Sequence, residues 1–463
     1  MNTPRHNRIP AALMASAMIL LSSVLLLSCK MEQKQISRPS TVVHPEWSRN
    51  AVIYEVNIRQ YTPEGTFKAF EQHIPRLAGM GVDILWLMPV NPIGEKNRKG
   101  SLGSYYSIRD YMAVNPEFGT MDDFKALVKT AHDHGMKVII DWVANHSAWD
   151  NPLITEHPEW YVKDSAGNII APVADWTDVA DLDYNQPGLR DYMTNALVFW
   201  VKEADIDGYR CDVAGMVPID FWNNAVPEIR KVKEVFMLAE WETPEMHDTA
   251  FDMTYGWEMY KVMKGIYKGE QTADRIDTIL AADAAAFNDD AYRMRFTTNH
   301  DENSWNGTDP ELFGDAFPAF TALTFMLPGM PLIYSGQESG LDQRLNFFEK
   351  DTIIWGDFKF AALYSSLIKL RTENKALFSG TAGGSVVKVR TADDSRIYAF
   401  TRDKEGNLVF CVFNLSPGPN ELKLTELEAT GEYSDALTGE QVTLGEKSIL
   451  TLKPWEYRIY IKK

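Results

Sequence analysis

Cysteine is nearly absent. The 463 residues hold three, Cys29, Cys211 and Cys411, and the first belongs to a leader treated below. The other two fall in different domains, inside apolar strands, and read as buried free thiols. They make no disulfide framework, and no Cys/His spacing marks a metal or redox centre. Basic charge is also short: 46 Lys and Arg stand against 64 Asp and Glu, a net charge of −18. Binding a polyphosphate needs a basic surface, so a nucleic-acid partner is excluded. No repeat recurs at solenoid periods, and no low-complexity tract interrupts the chain.

At the N-terminus, Arg5 and Arg8 precede a long apolar run that ends Leu25-Leu26-Leu27-Ser28-Cys29. Residues 1–29 read as a secretory signal peptide. A small residue before cysteine resembles a bacterial lipoprotein signal, in which Cys29 is lipidated and becomes the mature N-terminus. An uncleaved membrane anchor is the alternative. Both place the remaining chain outside the cytoplasm, periplasmic or at the cell surface. Residues 30–46 are polar and read as a flexible tether to that membrane.

From residue 51 strand and helix patterns alternate. Eight apolar runs read as strands: Ala51–Ile58, Asp83–Val90, Lys137–Val143, Gly208–Asp212, Val235–Glu240, Phe251–Tyr255, Arg293–Thr297 and Pro331–Tyr334. Between them, Phe67, Phe70, Ile74 and Leu77 repeat at helical spacing behind Thr66 as N-cap. Thr120 and Asp123 form a capping-box pattern ahead of Phe124, Leu127, Val128 and Ala131, and another helix follows Pro187. Repeated βα units of this number predict a (β/α)8 TIM barrel over residues 47–377, with a doubly wound open sheet as the runner-up. The alternation stops over 147–185, which reads as a small excursion domain after the third strand. Over 378–463 the character turns to short β-like runs, Ser385–Val389, Arg396–Thr401, Leu408–Leu415 and Tyr457–Ile461. No helix signal intervenes, so an all-β C-terminal domain of sandwich type is expected.

Functional groups on such a barrel gather at the C-terminal ends of the strands. Four ends are rich in polar groups: Asp141-Trp-Val-Ala-Asn145-His146, Gly208-Tyr-Arg210-Cys-Asp212, Leu238-Ala-Glu240-Trp241 and Asn299-His300-Asp301-Glu302-Asn303. One acidic strand end is ordinary salt-bridge material. Four converging on one face are hard to explain as packing, because buried charge is costly unless paired or used. Arg210 and Asp212 lie two apart on one strand and share a face. The guanidinium is expected to lower the pKa of Asp212, as suits a nucleophile. Asp212 and Asp301 are expected to raise that of Glu240, as suits a proton donor. Two carboxylates held in opposite protonation states are what glycosidic cleavage needs.

These segments, in this order, resemble the motifs of the α-amylase family of glycoside hydrolases. The resemblance runs from about Val52 to the C-terminus. It includes Val179–Asp183 (VADLD), similar to the motif closing the family's excursion domain, and Gly103–Tyr111 (GSYYSIRDY), similar to the loop carrying an aromatic stacker. It implies a retaining hydrolase of α-glucosidic, mainly α-1,4, bonds in starch, maltodextrin or maltooligosaccharides. In its terms Asp212 is the nucleophile and Glu240 the general acid/base, while Asp301 binds sugar hydroxyls and steadies the transition state. Arg210 orients Asp212, His146 and His300 hydrogen-bond the sugar, Tyr106 stacks beneath it, and Asp141 supports the loops and Arg210. Asn145 and Asp183 match calcium-ligand positions, since hard cations want oxygen ligands; no organic cofactor is implied.

The chain departs from the family pattern in places. Ser104 stands where many members have a histidine two residues before the stacking tyrosine. Gly215 and Met216 stand where many carry Lys-His; Gly215 removes a polar contact, and Met216 keeps a backbone carbonyl for calcium. Endo or exo action, and preference among long chains, maltooligosaccharides and cyclodextrins, stay open. So does transglycosylation on the same fold. A non-catalytic glucan-binding lipoprotein is the reading from another class, and it would not need all three acids with Arg210 and both histidines.

Overall fold

The computed structural model describes residues 40–423, 430–445 and 448–463. The leader, and residues 30–39 of the tether, lie outside the described residues. The remainder of the tether, 40–46, is docked rather than free, contrary to the reading of composition. Ser40 and Thr41 donate to the carbonyls of His247 and Asp248. The His44 ring bonds the Asp252 carboxylate and the Asp290 carbonyl and stacks on Tyr292 at 4.1 Å between centroids. A ring with both nitrogens paired and one face covered is held in place, whatever the polarity of its neighbours.

The first ten strands are β1 (Ile53–Val56), β2 (Ile84–Leu87), β3 (Lys137–Trp142), β4 (His146–Ala148), β5 (Val179–Asp181), β6 (Gly208–Cys211), β7 (Phe236–Ala239), β8 (Met253–Tyr255), β9 (Tyr292–Arg295) and β10 (Met330–Tyr334). All but β4 and β5 close into a barrel in the ring order β1-β2-β3-β6-β7-β8-β9-β10. Every neighbouring pair is parallel. Each strand is buried on both faces, so the runs are apolar rather than alternating. The eight runs read from sequence are these eight strands, and the sheet is closed, not open.

The caps hold as well. Thr66 accepts the Ala69 N–H, and Thr120 and Asp123 make both bonds of a capping box. The helix expected behind Thr66 is two short helices, Phe67–Glu71 and Ile74–Met80. Pro75 lacks an N–H and sits at the start of the second, where that lack costs nothing. The excursion after β3 holds the antiparallel pair β4–β5, with His146 opposite Asp181.

The C-terminal strands are β11 (Val386–Lys388), β12 (Ile397–Lys404), β13 (Asn407–Asn414), β14 (Asn420–Lys423), β15 (Gly431–Asp435), β16 (Gln441–Leu444), β17 (Ile449–Leu452) and β18 (Tyr457–Lys462). Six form one sheet, β11-β12-β13-β18-β15-β16, and β14–β17 form a ribbon. Alternation divides the sheet's side chains. Tyr398, Phe400, Cys411 and Phe413 join the core shared with the barrel, whereas Ile397, Ala399, Phe410 and Val412 meet Leu422 and Leu452 of the ribbon. Cys211 and Cys411 are both buried free thiols.

Candidate active site

Arg210 is the hub. Register sets Asp141 of β3 beside it, and Asp212 follows two residues on, facing the same way. Its Nη1 donates to Asp141 Oδ1 at 2.8 Å and to Asp212 Oδ1 at 3.0 Å. Its Nη2 lies 2.9 Å from Glu240 Oε2, an ion-pair contact without hydrogen-bond alignment. Its Nε donates to the Tyr255 hydroxyl at 3.2 Å. The guanidinium is fully buried, and three carboxylates share this one cation.

That sharing overturns one expectation. Burial, and then the charge of Glu240, hold Asp212 well above the usual carboxylate range despite Arg210. Burial likewise lifts Asp141 to about 6, although Arg210 opposes it. The sequence shows Arg210 beside Asp212 but not that the guanidinium is divided three ways. One guanidinium that also contacts Glu240 does not offset the burial of Asp141 and Asp212, so burial and mutual repulsion favour the protonated form of this coupled pair, and a proton there belongs to the pair rather than to one residue.

Val213, directly after Asp212, has φ +35° and ψ +47°. A β-branched residue in the left-handed region is strained by about 1–3 kcal/mol. The strain has a visible use: the Val213 N–H donates to Glu240 Oε2 at 2.7 Å. Residues 210–213 therefore fix both acids, Asp212 covalently and Glu240 through two contacts to one oxygen.

The second cluster is built on His300. Its Nδ1 lies 2.5 Å from Glu55 Oε1, and its Nε2 is 2.8 Å from the Tyr106 hydroxyl and 3.3 Å from Asp301 Oδ2. Burial works against a charged ring, but Asp301 and Glu55 outweigh it and raise His300 to about 9. Tyr106 also donates to Asp141 Oδ2 at 3.1 Å, which ties the two clusters together. His146 is different: burial lowers it to about 4, so it is neutral near pH 7. Trp176 lies edge-on to it at 5.4 Å.

Asp212, Glu240, Asp301, Tyr106 and His146 line one cleft of about 420 Å³ with Ser104. Arg210, Asp141 and His300 stand behind them. Glu55 was missed by sequence reasoning because it sits in an apolar strand, 245 residues from its partner. Trp305, Phe347 and Phe348 were also missed. Phe347 stacks on Tyr106 at 6.0 Å and contacts Trp305 at 5.5 Å, which extends one aromatic surface along the cleft. The only trace in sequence is the Trp305 that follows the His300 motif and the doublet Phe347-Phe348.

The departures also have a structural account. The Ser104 hydroxyl accepts the Tyr106 N–H at 3.1 Å, which braces the stacking ring from below. A Cβ on Gly215 would fall 2.0 Å from the Trp241 indole, so that indole fills the space where a larger residue would stand. Asn145 and Asp183 do not form a cation cage. Both Asp183 oxygens accept amide donors, from Asn185 on Oδ1 and Gln186 on Oδ2. The Asn145 amide nitrogen lies 3.3 Å from His146 Nδ1, and its backbone carbonyl takes the Leu182 N–H. Donors aimed at Asp183 present a cation with the wrong sign. Among the described residues, no three His, Cys, Asp or Glu side chains gather as metal ligands.

Comparison with known proteins adds three findings. The family described as "Alpha amylase, catalytic domain" matches residues 38–176 and 160–376, and "Maltogenic Amylase, C-terminal domain" matches 387–459. Among solved structures, an alpha-amylase from Lactobacillus plantarum is 34% identical, with 90% of this chain and 100% of that one covered and a TM-score of 0.81. The noncanonic maltogenic alpha-amylase AmyB from Thermotoga neapolitana is 31% identical, with 89% and 98% covered and a TM-score of 0.82. The alpha-amylase MalA of Haloarcula japonica is 28% identical over 88% of this chain and 62% of its own. The chain thus spans a little under two thirds of the length of that curated relative.

Proposed function

The chain belongs to the α-amylase family, and on that premise we propose that it hydrolyses α-glucosidic bonds, mainly α-1,4, in starch-like glucans with retention of configuration. The observation that carries this reading is the single guanidinium of Arg210 holding one oxygen each of Asp212 and Glu240. Two acids side by side suit the short separation of retaining glycosidases, about 5–5.5 Å, rather than the 6.5–9.5 Å that admits an attacking water.

An Asp212 oxygen attacks the anomeric carbon while Glu240 gives a proton to the departing glycosidic oxygen. The C–O bond breaks, and a glucosyl ester of Asp212 forms. Glu240, now ionised, takes a proton from water, whose oxygen attacks the same carbon and releases Asp212. Both described contacts of Glu240 fall on Oε2, which leaves Oε1 to carry the transferable proton. Asp301 holds the sugar hydroxyls, and charged His300 behind it holds Asp301 and the Tyr106 hydroxyl in place; neutral His146 adds a further polar contact, and Tyr106 with Phe347 supplies the stacking face.

The test is incubation with soluble starch and maltoheptaose, with NMR of the first product released. An α-anomer is expected. An initial β-anomer would reject Asp212 as nucleophile, and no products would reject the hydrolase reading. We propose further that the enzyme is exported and lipid-tethered through Cys29, from the basic start, apolar run and Ser28-Cys29 junction. Cys29→Ser is then expected to abolish incorporation of labelled fatty acid; retained label would reject the tether.

A further inference from the structure

The cleft is asymmetric in a way the chemistry orients. Glu240 protonates the departing oxygen, so the leaving part of the glucan lies on the β7 side. The retained part continues the opposite way, toward β1, which stands across the eight-membered ring from β7, and toward the neighbours of β1. The loops after β10, β2 and β3 meet there and are fastened to one another. Lys99, on the loop after β2, donates from Nζ to the Asp175 carbonyl at 2.6 Å and pairs with Asp178 Oδ1 at 3.3 Å. Both partners belong to the excursion domain. On the other flank of the same loop, the Ser101 N–H and hydroxyl both bond the Glu349 carboxylate, and the Leu102 N–H donates to the Phe348 carbonyl at 3.1 Å. A Cβ on Gly100 would meet the Phe348 side chain at 2.5 Å, so the loops are in contact with no gap between them.

Lys99, Asp175, Asp178 and Phe348 all line the cleft. The buried Asp178 carboxylate makes the ion pair with Lys99 stronger than one at an open surface. On the β7 side, Gly215 has no side chain to project, and Met216 is 39% exposed.

We propose that the Lys99 clasp closes the donor end of the cleft and makes this enzyme exo-acting, cleaving one or two glucosyl units from the non-reducing ends of maltooligosaccharides and chains. The proposal rests on the hydrolase reading above. The pocket around the acids, about 420 Å³, lies at the small end of the range for ligand pockets, in keeping with a short closed side.

Two maltoheptaosides with a reducing-end fluorophore test it, one with a free and one with an acetal-blocked non-reducing glucose. The free substrate is expected to yield first labelled products shortened by one or two units. The blocked one is expected to be consumed at least roughly tenfold more slowly, since the acetal has no room against the wall. Similar rates on both, with labelled products of many lengths, would overturn exo action and leave hydrolysis standing. Consumption of neither would overturn the hydrolase reading and this proposal with it. Lys99→Ala, and Lys99→Met to keep the stem, are expected to bring the blocked substrate to within a few-fold of the free one. Variants that melt like the parent and still refuse the blocked substrate would overturn the clasp. The parent's own rate ratio decides exo action whether or not either variant folds.

Discussion

Two arginines in this molecule are almost equally removed from water and are used in opposite ways. Arg210, at the catalytic end of the barrel, faces carboxylates. Arg402, in the seam between the barrel and the β-domain, donates to the backbone carbonyls of Gly384, Met326 and Phe378. Nearby Arg371 is held likewise, by the carbonyls of Asn50, Ala51 and Leu377 and the Ser379 hydroxyl. Burial with little countercharge pulls Arg402 down to about 9 and Arg371 to about 10. Burial also opposes the charge on Arg210, but Asp141 and Glu240 outweigh it and raise that group above its usual value. Carbonyl dipoles satisfy a guanidinium and leave it chemically idle. Carboxylates leave charge and a shared proton at hand for a substrate. The seam should therefore carry stability without chemistry, and the hub chemistry with little stability.

The strongest way to break that contrast is to neutralise the acids. Asp212→Asn removes the attacking charge, and Glu240→Gln removes the transferable proton. Each should lower turnover by about 10²–10⁴-fold or more. Melting temperature should hold, because Asp212→Asn lowers the acidic crowding around one shared guanidinium and Glu240→Gln keeps the shape of the protonated acid. With a glucosyl fluoride, whose leaving group needs no proton, the Glu240 variant should partly recover and the Asp212 variant should not. Early melting with joint loss of binding and turnover would mean that the acids only support the barrel.

The seam predicts the reverse. Arg402→Met keeps the stem and strands three buried carbonyls, at about 1–3 kcal/mol each before relaxation. Denaturant unfolding should show a loss of a few kcal/mol, while turnover per folded molecule stays within about twofold of the parent. A variant with normal stability and lost turnover would erase the distinction between the two arginines.

The two regions also differ in how far the sequence discloses them. The barrel strands are legible because burial on both faces makes continuous apolar runs, and the acids because they end those runs. The seam and the β-domain are less so. β14 and β17 each bury one of four residues, too few to show a period, and neither is visible in sequence. Within the site, Asp212 and Arg210 are legible from alternation along one strand. The division of Arg210 among three acids, the left-handed Val213 and the Glu55–His300 pair are not, since each depends on contacts between distant segments or on a backbone angle that no residue type announces.

The smallest effect concerns Glu55, which sharpens the contrast within the site itself. Four groups set the charge of His300: Glu55 from β1, Asp301 beside it, Arg210 from β6 and the Tyr106 hydroxyl from the loop after β2. Its pKa, about 9, lies above the usual imidazole value of 6.5. The stability this charge contributes is therefore fully present below about pH 6.5 and is lost as pH rises through about 9. Charged His300 holds Asp301 and Tyr106 in place for the substrate, so kcat/KM should fall on the same alkaline limb. Glu55→Gln keeps a hydrogen-bond acceptor but removes one of the two supporting anions, so the limb should move toward neutrality by about one pH unit or more. Near pH 6 the variant should turn over almost like the parent, because the ring is still protonated there. The Arg402 variant should keep the parental limb, which separates charge at the site from general loss of stability. A Glu55 variant with the parental limb would mean that Glu55 only packs against the ring, and that the charge of His300 does not govern catalysis.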